Sequence, residues 1–306
     1  MVDIFRRTYS LIDKKQFYLW LFVLIAMIST EILATVVIPV WREYFYNGIE
    51  AKSWNVFTTG IFYFTSLMSV FALVQSFKYY ISKKISFNLR TGMSELLEKA
   101  WKKKLKTKSQ FDNPDQRIQE DVRIATELAL NVLIEFAISA IIVIGLLFQI
   151  SGQFYMFELS VLYIVAVSIL AALFHRKMVD SEKKFQRAEA DYRFTLATTS
   201  LQAKWQPTES VYANVKTQYM YLIKVLMGFS IFSSFKSNLI PVVPLLVLVP
   251  AYFSGDITFG EIMKGVSQFE LLVINATILI IVYPNITKVI ASYERLSEFY
   301  FGLQKK

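Results

Sequence analysis

An all-α membrane protein with six transmembrane helices is the fold class this sequence predicts, on three observations. The 306 residues are 55% hydrophobic, above the 45–50% usual in soluble domains. Apolar stretches of about 20 residues recur, each able to cross a hydrocarbon core of about 30 Å. Basic residues collect in alternate connections, as the positive-inside rule requires of a multi-pass protein.

The elements follow in order. The N-terminal "MVDIFRRTYSLIDKKQ" is charged and lacks a small-residue cleavage site, so the apolar stretch after it reads as a first span and not as a signal peptide. Spans are expected at 17–40, 56–81, 128–150, 156–174, 229–253 and 266–287. Of the 33 Lys and Arg, four precede the first span, twelve fall in 78–126, nine in 175–228 and four after 287. The alternate loops hold only Arg42, Lys52 and Lys264, and Lys236 lies inside the fifth span. Both termini and both long loops are therefore expected on the cytoplasmic side of a cell inner membrane.

The long loops read as helical extensions. Ile85, Leu89, Met93, Leu96, Leu97, Ala100 and Trp101 form a stripe at helical spacing, which carries the second helix on to about residue 106. Asp112-Asn113-Pro114 then breaks and recaps the chain, with Asn or Asp as N-cap and Pro at the first helical position. The segment from His175 to Trp205 repeats the plan, turning at "QPTES". Pro241, Pro244 and Pro250 remove backbone donors and should kink the fifth span.

Six segments, in order, carry a family resemblance: "WREYFYNGIEAKSWNVF", "NLRTGMSELLEKAW", "FDNPDQRIQED", "FQRAEADYRF", "YFSGDITFGEIM" and "SYERLSEF". Over residues 17–300 the chain resembles the transmembrane domain of ABC exporters, and most specifically the SbmA/BacA peptide-uptake transporters and the membrane domains of ABC subfamily D. The resemblance implies a homodimer whose two copies enclose a substrate cavity. It also implies that the turns near Phe111–Gln116 and Lys204–Ser210 would be the docking elements for an ATPase. No G-x-x-x-x-G-K-[ST] occurs in the 306 residues, so this sequence is not expected to hydrolyse ATP by itself. The turns are read either as retained closures of the helical hairpins or as docking points for an ATPase made separately.

Charges inside spans are costly and mark cavities or partners. Glu31 lies 14 residues into the first span, with no basic residue expected at its depth; Glu270, near the outer start of the sixth, is read the same way. A carboxylate held out of water there suits reversible protonation. Glu135 and Lys236 lie at equal depth in the third and fifth spans, which suggests an ion pair or gate. Glu158 sits near the outer end of the fourth. The resemblance adds Glu120 and Glu189, matching acidic positions of the family motifs, and Arg295 shares their ambiguity with ordinary surface ion pairs. Tyr44, Phe45, Tyr46 and Trp54 read as interfacial anchors.

With no cysteine and one histidine, no metal or cofactor site is expected. The basic run at Lys102–Lys108 should attract anionic lipid headgroups before nucleic acid. The expected function is non-enzymatic: proton-coupled import of peptides or peptide-like antibiotics by alternating access. The alternative is the permease subunit of a split ABC transporter for lipid, acyl-chain or cobalamin-like cargo, with the ATPase on another chain.

Overall fold

The computed structural model describes residues 2–11, 13–105, 113–150, 154–202 and 208–304, and every regular element among them is helical. They are α1 (Val2–Ser10), α2 (Lys14–Glu50), α3 (Trp54–Leu105), α4 (Pro114–Ile150), α5 (Phe154–Gln202), α6 (Glu209–Leu239), α7 (Leu245–Phe253) and α8 (Phe259–Gln304). Five of these, α2, α3, α4, α5 and α8, are long and apolar enough to cross a membrane. The predicted fifth span, 229–253, is not one continuous helix: α6 stops at Leu239 and α7 begins at Leu245. Pro241 and Pro244 supply no backbone N–H, and the chain between the helices turns through Val242 N–H to Leu239 O (3.0 Å) and Leu245 N–H to Val242 O (3.1 Å). Pro250 is tolerated inside α7.

The extensions form as the stripes predict. α3 runs to Leu105 and α4 starts at Pro114. Asn113 precedes α4 in the left-handed conformation, with φ 45°, and its side chain makes no capping bond to the helix. Two π-helical turns, Arg117–Asp121 and Ile124–Leu128, interrupt the start of α4. Of the turns predicted near Phe111–Gln116 and Lys204–Ser210, residues 111–112 and 204–207 lie outside the described residues.

The described residues fall into two compact units: residues 1–154 with 248–306, and residues 155–247. In the first, α2 and α3 form a hairpin closed at Ala51–Ser53. Ser53 N–H bonds to Gly48 O at 2.9 Å, and Lys52 takes φ 52°. Along this hairpin Trp41 Nε1–H donates to Gly60 O at 3.0 Å, and its ring stacks on Phe45 and Phe64. Farther from the turn, Leu24 packs with Ile81 and Ile85. Past this level the extensions of α3, α4 and α8 share a second core of Met93, Leu97, Val122, Ala125, Leu296 and Tyr300. Burying such side chains stabilises by about 1.5–3 kcal/mol each. In the second unit α5 and α6 are antiparallel, joined by ring contacts of Phe174 with Phe232 (5.1 Å), Phe185 with Tyr219 (5.3 Å) and Tyr192 with Tyr212 (5.2 Å).

Candidate functional site

The first unit holds a cavity of about 550 Å³ between α2, α3, α4 and α8. Glu31 of α2 lines it and is 9% exposed. Its carboxylate accepts from Gln75 Nε2 at 2.5 Å and forms an ion pair with Lys78 Nζ, both on α3. The expectation that no basic residue shares the depth of Glu31 is therefore corrected. The spans 17–40 and 56–81 put Lys78 next to the inner boundary. The hairpin register instead sets Lys78, 25 residues after the turn, opposite Glu31, 20 residues before it. An apolar boundary read separately on each strand of a hairpin does not mark one common depth.

Glu135 of α4 lines the same cavity and is exposed to it, with no ion pair or hydrogen bond to its side chain among the described residues. Asn131 and Asn275 complete the polar lining, Asn275 donating to Leu271 O at 2.7 Å. The acidic and amide groups thus come from four helices, and the one lysine among them pairs with Glu31. Two unit charges 4 Å apart interact by about 4 kcal/mol at an intermediate dielectric, so proton or cation binding to this set changes the energy of the whole wall.

The other sequence candidates are dispersed. Lys236 belongs to the second unit and Glu135 to the first, so their expected pairing stands as an expectation. Within its own unit the Lys236 carbonyl accepts from Tyr163 O–H at 3.1 Å. Glu270 lies 3.7 Å from Arg42, so it too has a basic neighbour, contrary to the sequence reading. Glu158 and Glu189 are exposed, and Glu120 accepts from Gln116 Nε2 at 3.2 Å.

Arg295 is not an ordinary surface pair. It binds Asp121, not Glu120, through Nε (3.1 Å) and Nη2 (2.5 Å). Asp121 is 2% exposed and also accepts from Arg117 Nη1 at 2.9 Å and from Ser292 Oγ at 3.3 Å. Tyr293 O–H donates to Ala125 O at 2.5 Å beside it. This node fastens the π-helical start of α4 to α8. Sequence reasoning missed Asp121 because it stands among charges of both signs in "RIQEDVR", where a buried acid looks like its solvated neighbours. The i, i+4 spacing from Arg117 is the one signal that could have found it.

At the hairpin end, two of the motif segments meet. Gly260 N–H donates to Asn47 Oδ1 at 2.8 Å and Phe259 N–H to Glu50 Oε2 at 3.3 Å. Thr258 and Glu261 bond reciprocally, at 2.7 and 3.2 Å, as a capping box. Every orphan donor of the first turn of α8 is thereby satisfied, two of them by α2. A Cβ on Gly260 would lie 2.2 Å from Glu43 O, so only glycine fits this approach. Lys264 pairs with Glu43 at 2.8 Å, and Tyr252 O–H donates to Glu50 at 2.9 Å.

Comparison with known proteins accords with this architecture. The family model described as ABC transporter transmembrane region 2 matches residues 8–253. The chain is 23% identical to the inner membrane ABC transporter ATP-binding protein YddA of Escherichia coli (strain K12), over 94% of this chain and 58% of that protein. It is 25% identical to ABC transporter D family member 2, chloroplastic, of Arabidopsis thaliana, over 83% and 38%. An uncharacterized ABC transporter ATP-binding protein of Haemophilus influenzae matches at 22%, over 94% and 54%. The chain thus spans about half the length of the curated relatives it matches.

Proposed function

Because the chain belongs to the ABC transporter transmembrane region 2 family, we propose that its cavity is part of the path of a proton-coupled importer of peptides or peptide-like antibiotics. The protein would act as a homodimer in the cell inner membrane, with both termini cytoplasmic. Membrane transport itself follows from the family.

The observation that carries the finer reading is the grouping around one cavity of Glu31, Lys78 and Glu135, the last with no partner among the described residues. A proton reaching Glu31 cancels its attraction for Lys78 and frees an ammonium within the cavity. Glu135 is free to take a proton or a cationic group of the cargo. Occupancy of these acids shifts the balance between inward- and outward-open states only through different affinities in the two, which the Glu31–Lys78 contact would provide. Arg295 acts with Asp121 as a fastening between extensions. Glu120, Glu158, Glu189 and Glu270 are proposed as secondary proton or cargo contacts, and Lys236 as a gating charge.

The second reading is the permease part of an ATP-driven transporter for lipid, acyl-chain or cobalamin-like cargo, with the ATPase carried on a separate chain. The names of two matched relatives favour it, since each is called an ATP-binding protein. Sealed proteoliposomes containing only the purified chain decide between the two. Accumulation of a labelled peptide driven by an inward acid gradient, abolished by an uncoupler and indifferent to vanadate, is the expected result. Transport that appears only with an added ATPase and ATP, and stops with vanadate, would give the second reading first place.

A further inference from the structure

We propose that the ends of α2 and α3 remote from their turn form a binding site for the phosphate headgroup of an anionic phospholipid, centred on Lys83 and Lys84. The first predicted span begins just after Lys14 and Lys15, and the second ends just before Lys83 and Lys84, so four ammonium groups gather where apolar helix surface gives way to polar. Packing brings the two pairs of lysines to one end of the hairpin: Lys84 Nζ lies 4.1 Å from the Trp20 ring centroid of α2 and 5.9 Å from that of Tyr80. Lys83 Nζ is 5.7 Å from the Tyr79 ring, and Lys14 Nζ is 5.6 Å from that of Tyr9.

Lys14, Lys83 and Lys84 have aromatic faces beside them, and none of the four lysines has a paired carboxylate among the described residues. The one acid in the adjoining sequence, Asp13, is committed to capping α2, accepting from Lys15 N–H at 3.1 Å and Gln16 N–H at 3.3 Å. A lysine has three donors, and a ring face satisfies charge without supplying an oxygen acceptor. Phosphodiester oxygens supply both. Toward the span, Phe77 and Tyr80 lie on the same helical face as Lys84 and are 55% and 57% exposed, an apolar strip for the acyl chains below the headgroup. Charge, aromatic rims and an adjoining apolar strip together select a lipid over a soluble anion. The site adjoins the cavity at Tyr79 but does not depend on what the chain transports or on how transport is driven.

The test is lipid retention. The protein is equilibrated in bilayer discs of equal phosphatidylglycerol and phosphatidylcholine and extracted in mild detergent, and the co-purifying lipid is quantified by mass spectrometry. The native chain is expected to retain phosphatidylglycerol selectively, by about fivefold per lysine engaged. Lys83→Gln with Lys84→Gln should abolish the selectivity, and Lys84→Arg should keep it. Lys184→Gln, which removes a lysine already paired with Asp180, should change nothing. Equal retention of both lipids by the native chain overturns the proposal, as does selectivity that survives loss of Lys83 and Lys84. Displacement of the lipid by millimolar inorganic phosphate alone would also overturn it, since the site would then read a free anion.

Discussion

Two carboxylates in this protein are buried against cations from distant helices, and they differ in what lies on their other side. Glu31 shares Lys78 and Gln75 with an open cavity. Asp121 shares Arg295, Arg117 and Ser292 with a packed junction whose neighbours are Leu296, Val122 and Ala125. The first is a charge that a ligand or proton can reach. The second is enclosed on every side by its own partners. Burial alone therefore does not nominate a working acid; it is burial beside open space that nominates Glu31 under the proposed function.

The comparison can be broken by substitution, starting with the largest effect. Asp121→Ala takes from Arg117 and Arg295 the buried carboxylate they share. Breaking a buried pair costs about 3–5 kcal/mol; Arg295 is 39% exposed, so the low end of that range is expected. Thermal unfolding in detergent should show it, and an unchanged midpoint would mean that the junction is not held by this node. Gly260→Val comes next. Its Cβ would meet the Glu43 backbone carbonyl, and crowding of this kind costs about 1–3 kcal/mol. Normal stability there would show that the hairpin end can spread freely.

The cavity pair should respond differently. Glu31→Gln and Lys78→Met, made singly and together, should give an interaction energy of about 0.5–3 kcal/mol in a double-mutant cycle, while either change alone should lower gradient-driven uptake. Additive effects on stability, with uptake intact, would reduce the pair to packing. Smallest in stability is Glu135→Gln, expected within about 0.5 kcal/mol of the native chain because the exposed side chain has no partner among the described residues. Its effect should appear only in uptake, and equal uptake would remove Glu135 from the path.

How far these features were legible follows from their surroundings. Glu31 stood out because a charge inside an apolar run is rare, and its place in the chain sufficed to nominate it. Its partner did not stand out, because depth counted from each span's own boundary separated two residues that the hairpin register joins. The extension of α3 was readable from one stripe of seven apolar residues, whereas the break after Leu239 was readable only as a kink: proline forbids a bond but does not say how many residues the chain then spends turning. Asp121 was hidden by its charged neighbours. The contacts between "WREYFYNGIE" and "DITFGEIM" were unreadable, since they are made by backbone donors that any residue could offer, and only the glycine hints at the closeness.

That last contact has a mechanical corollary. A reporter pair attached near positions 47 and 260 ought to keep one constant separation through every stage of the working cycle, because the first turn of α8 has no hydrogen to spare for any other acceptor. It would serve as the fixed bar of a ruler, against which distances to other labelled helices could be measured.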